Sequence, residues 1–372
     1  MFDKQAINSL RIVCSFGLLG LALIASSCGH TAASPPEVSI NVVMKTIHDY
    51  GRGHDGLLSP ASSAKPDEND KVYCARINNL LIQEDFARLE KIAQQNRADK
   101  GRLLGGYWKN SEFFRATGYP LSTGILTDSD YELQRDRIKK WIAAFPESAA
   151  ARISLSELYS NYGYFARGSG FSNSVTNSQW KIFHARTAQA KEVLLEAASL
   201  KERDPYWYQA MQAVAFYEGW DRTQERELLD QATTFEPGYY HYYRQYALYL
   251  QPQWYGKPGD IQAFAEESAA SLPEPDSSIL YFQIVSSLAC YCQQAREDLP
   301  HVSYPKVREG YTNLTRLYGT SNLTANRFAF IATTFKDQPS AHEAFSAIVT
   351  MDLDIWYTKA IFDDSRTWAN SP

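Results

Sequence analysis

Apolar side chains recur at three- and four-residue steps through most of the chain after Lys71. Leu80, Leu81, Phe86, Leu89 and Ile92 keep this spacing, as do Ile138, Trp141 and Ile142, then Ile153, Leu155, Leu158 and Tyr159. That period lines one face of a helix, whereas the two-residue alternation of strands and Asn-Gly hairpin turns are almost missing. The pattern predicts helices over nearly all of residues 71–372.

Before Lys71 the pattern is different. Lys4 and Arg11 precede an uncharged stretch of 16 residues, IVCSFGLLGLALIASS, at positions 12–27. As a helix it spans about 24 Å, short of a hydrocarbon core of about 30 Å, so residues 1–27 read as a cleaved signal peptide rather than a membrane span. The stretch closes on Ile24-Ala25-Ser26-Ser27-Cys28-Gly29. This resembles the bacterial lipobox, whose small residues precede a cysteine that is lipidated and becomes the mature N-terminus. Cys28 is the expected lipidation site; an ordinary signal peptide cut near Ser27 is the alternative, and Cys14 is a passenger in the apolar run. With Gly29 rather than Asp after Cys28, the inner-membrane retention signal of bacterial lipoproteins is missing. The expected location is the cell envelope, at an outer membrane and facing the periplasm if the host has two membranes. Residues 28–69 are rich in Pro, Ser, Gly and Asp apart from the apolar patch 38–44, and read as a flexible tether.

Helix ends marked by proline recur in AAFP146, KERDP205 and TTFEP237, followed by LPEP275. Pro205 and Pro237 stand 32 residues apart, close to the 34-residue tetratricopeptide period, and Pro146 and Pro205 stand 59 apart, one period plus an insertion of about 25. The expected fold class is therefore all-α, a tetratricopeptide-like superhelical repeat of antiparallel helix pairs over residues 70–372, each pair burying its apolar face only against the next. YGYFARGSG at 162–170, EPGYY at 236–240 and LQPQWYGKPGD at 250–260 resemble a bacterial family catalogued as domain of unknown function 4034. The resemblance covers roughly residues 75–295; it implies the same repeat fold and assigns no activity.

Composition narrows the function without naming it. The chain has 372 residues, 44% hydrophobic and 21% charged, with a net charge of -5. Without residues 1–27 it keeps 35 positive and 41 negative side chains, an acidic balance that argues against a nucleic-acid partner. Gly51-Arg52-Gly53-His54-Asp55-Gly56 matches a dinucleotide fingerprint letter for letter. It runs into LLSPASSAKPDEND, which has no helical period to receive a pyrophosphate, so no cofactor is expected. The seven histidines form no H-E-x-x-H, and no G-x-S-x-G elbow occurs; no metal and no catalysis are expected. Cys290 and Cys292, one residue apart on a predicted helix, point about 200° apart around its axis and read as small core residues. A pairing of Cys74 with either stays open.

The strongest local anomaly is aromatic. Ten tyrosines and three tryptophans lie between Pro205 and Tyr255. Tyr239, Tyr242, Tyr246 and Tyr249 share one helical face, and Tyr240 and Tyr243 share another. Either both faces pack between repeats, or Tyr240, Tyr243 and Trp254 line a groove for a partner. Arg167 opens the Gly/Ser-rich insertion RGSGFSNSVTN. It is a further candidate contact, for an anionic group, or else a cap on the last carbonyls of the preceding helix. The expected function is a lipid-anchored scaffold that binds an envelope protein, with a carbohydrate-binding or carbohydrate-processing lipoprotein as the alternative.

Overall fold

The computed structural model describes residues 38–52, 66, 68–122, 124–170, 172–290 and 297–372. The expected signal peptide, Cys28 and Cys292 lie outside them. Seventeen α-helices and no strand occur among the described residues, so the all-α expectation holds. The helices are α1 (Ile40–Tyr50), α2 (Asp70–Ile82), α3 (Phe86–Asp99), α4 (Lys109–Thr117), α5 (Asp128–Ala144) and α6 (Ala149–Arg167). They continue as α7 (Asn177–Ser199), α8 (Pro205–Glu218), α9 (Arg222–Phe235), α10 (Tyr240–Tyr249), α11 (Asp260–Ala270) and α12 (Asp276–Val285). The last are α13 (Tyr304–Tyr318), α14 (Asn322–Thr334), α15 (Gln338–Ser346), α16 (Leu353–Trp356) and α17 (Lys359–Ala369).

Local chemistry sets the boundaries. Ser148, Thr176, Asp204, Asp221, Ser321, Asp337 and Thr358 each accept a hydrogen bond from a first-turn amide of the helix they precede, satisfying donors that have no partner inside it. Gly219 ends α8 in the left-handed region at φ 71°, where a side chain would be strained. The prolines mark junctions, but not all of one kind. Pro146 and Pro237 follow helices, whereas Pro205 is the first residue of α8, where its missing N–H costs nothing.

Most consecutive helices pack on each other, most extensively α6 with α7 and α12 with α13. Every second helix also touches the next but one, in the series α2, α4, α6, α8, α10 and α12. Tyrosine, tryptophan and phenylalanine from successive helices fill the seams in a core that runs through nearly all of them.

One expectation needs correction. The tether assigned to residues 28–69 contains α1, and Val43, Ile47 and Tyr50 on that helix are buried against α7 and α9. Tyr50 stacks on Trp207 with ring centroids 4.1 Å apart, and Tyr208 Oη donates to the carbonyl of Ile47 at 3.2 Å. Three apolar positions in eleven residues make a valid helical face. Flanking Pro, Gly and Ser obscure it in the composition.

Asp204 fixes these parts relative to each other. Its side chain caps α8 at the Tyr206 amide (2.8 Å), accepts from Asn110 Nδ2 of α4 (3.2 Å) and pairs with Arg97 of α3 (3.2 Å). Its backbone N–H donates to Tyr50 Oη of α1 at 2.8 Å. Burial pushes the carboxyl pKa up, and the Arg97 guanidinium opposes that rise. Asp204→Ala leaves Arg97 buried with one acid fewer, and should lower unfolding free energy by about 3–5 kcal/mol. Chemical denaturation checks this, and an unchanged midpoint would contradict it.

Candidate functional site

Both tyrosine faces of α10 are inside. Tyr239 Oη donates to Asn110 Oδ1 (3.2 Å), Tyr242 Oη to the Pro205 carbonyl (2.6 Å) and Tyr249 Oη to the Trp220 carbonyl (3.2 Å), all toward α4, α8 and the turn after α8. On the other side, Tyr240 Oη donates to Asp276 Oδ1 of α12 (2.7 Å), and Tyr243 donates to the Pro237 carbonyl (3.1 Å) beside Phe264 of α11. Tyr240 is 3% exposed and Tyr243 5%. The groove expected at these two residues is therefore not an open surface, because α10 is wedged between neighbours on two flanks. Trp254 is half-buried, edge-on to Phe216 at 4.8 Å.

Arg167 is also buried. It donates to the carbonyls of Gly168 (2.8 Å) and Gly170 (3.1 Å), and its guanidinium lies 5.2 Å from the Trp180 ring. It thus closes the loop between α6 and α7 instead of offering a charge to solvent. No hydrogen bond or ring contact joins Arg167 to Tyr240, Tyr243 or Trp254 among the described residues. The four candidates do not form one site.

The third face of α10 is the one left partly open. His241, Arg244, Gln245 and Leu248 are its half-exposed positions. A helix that spends two faces on tyrosine carries its basic residues on the remaining stripe, and the spacing of His241 and Arg244 was the signal available in the sequence. Residues 100–108 cross close by. Lys100 pairs with Glu236 at 2.8 Å, the Arg102 guanidinium lies 3.3 Å from the Trp108 ring centroid, and Trp108 Nε1 donates to the Gly238 carbonyl at 3.2 Å. At the far end the Gly105 amide donates to the Tyr318 carbonyl at 3.3 Å. Gly105 sits at φ 81°, and a Cβ there would fall 2.5 Å from Ser321 Oγ, so only glycine lets the segment reach the turn between α13 and α14.

Tyr107, His241, Arg244 of α10 and Arg327 of α14 lie within one another's electrostatic reach. Arg244 Nε is buried with no hydrogen-bond partner, and Tyr107 Oη, beside Ser321, makes no hydrogen bond of good geometry. Among the described residues no hydrogen bond or ion pair reaches Arg244, Arg327 or His241. Glu112 is the acid whose field reaches Arg244, but its carboxylate is held by Arg115 Nε at 2.6 Å. Burial, then the charge of Arg327, pulls the Arg244 pKa down to about 10. Burial and the arginines around it hold His241 well below its usual value, hence neutral.

Other groups offer less. Cys74 is a free, half-buried thiol 3.1 Å from an Arg115 nitrogen; burial pushes its pKa up, away from thiolate. Cys290 is disulfide-bonded, so the pairing with Cys74 left open by the sequence does not occur. The helical argument about its direction fails because α12 ends at Val285 and a short 3-10 turn, Ser286–Leu288, precedes Cys290. No group of three or more potential metal ligands occurs among the described residues, and no described helix is long and apolar enough to cross a membrane. Glu225, in the first turn of α9, is buried without a cation, which raises its pKa to about 8. No family model, curated protein or solved structure matches the chain.

Two predictions follow from this geometry. Tyr242→Ala and Tyr243→Ala should both destabilise the fold, on the scale of about 3–5 kcal/mol for large aromatics in cores; a melt unchanged in Tyr243→Ala would reopen the surface reading. Glu225 holds its proton more tightly folded than unfolded, so its contribution is greatest below its ordinary value near 4.5 and is lost as pH rises toward about 8. Melting temperatures of Glu225→Gln and the parent should differ little at pH 5, with Glu225→Gln the more stable at pH 8.

Proposed function

We propose that this chain is a lipid-anchored, tetratricopeptide-like repeat protein of the bacterial envelope, acting as a scaffold that holds a partner protein without catalysing a reaction. The observation that carries this reading is the packing order, in which most helices meet the next and alternate helices from α2 to α12 meet each other. Helix pairs opening at Pro205, Tyr240 and Asp276 recur close to the roughly 34-residue tetratricopeptide period. Such arrays present broad, rigid surfaces built for binding. Membership of the family of domain of unknown function 4034 belongs to the same proposal. The aromatic groove was the expected contact surface of both this reading and the carbohydrate alternative, and the burial of Tyr240 and Tyr243 removes those two residues from both; the packing order is what favours the scaffold.

The test compares the full chain with Cys28→Ala in a bacterial host. The parent should fractionate with membranes, carry a lipid on Cys28 by mass spectrometry, and cross-link reproducibly to one envelope protein that captures it in return. Cys28→Ala should leave the membrane fraction or accumulate unprocessed. An unlipidated mature chain starting elsewhere would refute the anchor, and saturable glycan binding without a protein partner would refute the scaffold.

A further inference from the structure

We propose that the cleft between α2, α3 and the start of α4 is a binding site for a compact zwitterion, a free α-amino acid. The inference goes beyond the scaffold reading and does not depend on it. The cleft has a volume of about 210 Å³, below the roughly 300–1,000 Å³ of pockets that hold drug-sized ligands. One face of α3 forms its first wall, where Ile92, Gln95, Asn96 and Asp99 follow at three- and four-residue steps. Tyr73 and Arg76, one turn apart on α2, form the second. Gly101 and Lys109 close the end, the Lys109 amide donating to the Gly101 carbonyl at 2.9 Å.

The floor of the cleft is fixed and its rim is open. Asn96 Nδ2 donates to Tyr73 Oη at 2.8 Å and lies 3.5 Å from the Lys109 carbonyl, which ties the three walls together. Arg76 is already engaged, 5.0 Å from the Tyr73 ring centroid and paired with Glu68 at 3.2 Å. Lys109 is half-buried and Asp99 exposed, so solvent reaches both. Neither forms an ion pair with the other or with any other described residue, although both border the same cleft. Two opposite charges that share a cleft without neutralising each other suit a ligand that carries both. The ammonium of an amino acid would meet Asp99 and its carboxylate Lys109, each as a charge-assisted hydrogen bond, with its side chain toward Ile92. A simple anion attracted by Lys109 is repelled by Asp99, and a neutral sugar offers no charge to either.

The experiment uses the purified full chain in a non-ionic detergent, mixed with the common L-α-amino acids one at a time. Acetate, methylammonium and glucose serve as separate arms, with sodium chloride at matched ionic strength. Melting temperature and isothermal titration calorimetry are read together. A saturable rise in melting temperature with a matching heat of binding is expected for at least one amino acid. Acetate and methylammonium, each with half of the zwitterion, should bind about tenfold or more weakly than it. Lys109→Gln and Asp99→Asn should each weaken amino-acid binding by a similar factor. Both should melt like the parent without ligand, since neither side chain has a partner to lose. Lys139→Gln, which alters an exposed lysine on α5, should bind like the parent. The proposal is overturned by no saturable binding of any amino acid, by acetate or glucose binding as tightly as the best amino acid, or by Lys109→Gln and Asp99→Asn binding like the parent.

Discussion

Asp204 has no exposed surface, and a carboxylate in such a place is tolerable only when every lone pair is used and a positive charge stands beside it. Here it caps α8, holds Asn110, pairs with Arg97 and, through its backbone, engages Tyr50. Four helices, α1, α3, α4 and α8, therefore meet at one residue. Asn110 extends the network, accepting from Tyr239 just before α10. A buried network of this kind contributes little net stability compared with an apolar core of the same volume. Its effect is directional, because displacing any one helix leaves a buried polar group without its partner.

The directional network and the aromatic packing meet at α10. Tyr239 and Tyr242 carry the polar links back toward Asn110 and Pro205, and Tyr240 carries one forward to Asp276. Tyrosine suits a seam between successive helices because the ring fills volume while the hydroxyl satisfies a carbonyl or carboxylate across the gap. With two flanks used in this way, α10 has only the stripe of His241 and Arg244 to offer a ligand. Recognition at this helix would thus be by charge and hydrogen bonding, and aromatic stacking is excluded by burial.

Residues 100–108 complete that arrangement by contacting parts of the chain 130 or more positions away. The segment is held by the Lys100 to Glu236 pair, by Trp108 on Gly238 and by Gly105 on the α13 to α14 turn. It carries no helical period, and nothing in its composition separates it from an ordinary surface loop. Its role comes from where it lies.

The sequence by itself determined the helical class and most helix starts, because amphipathic period, capping side chains and proline are local and act within a few residues. It also located the aromatic anomaly correctly at residues 205–255 and left open which face looks inward. Tertiary structure decided that both faces do, since burial depends on neighbours on either flank that no single helix encodes. The same reason explains α1, whose short apolar face acquires meaning only against Trp207 and Tyr208. The surroundings of Arg244 were the least legible part: Tyr107, His241 and Arg327, which lie within its electrostatic reach, come from separate segments or faces, and each alone is an ordinary polar residue. That Arg244 has no acid of its own is a property of the folded chain, because only the fold fixes that Glu112, whose charge reaches it, is already held by Arg115.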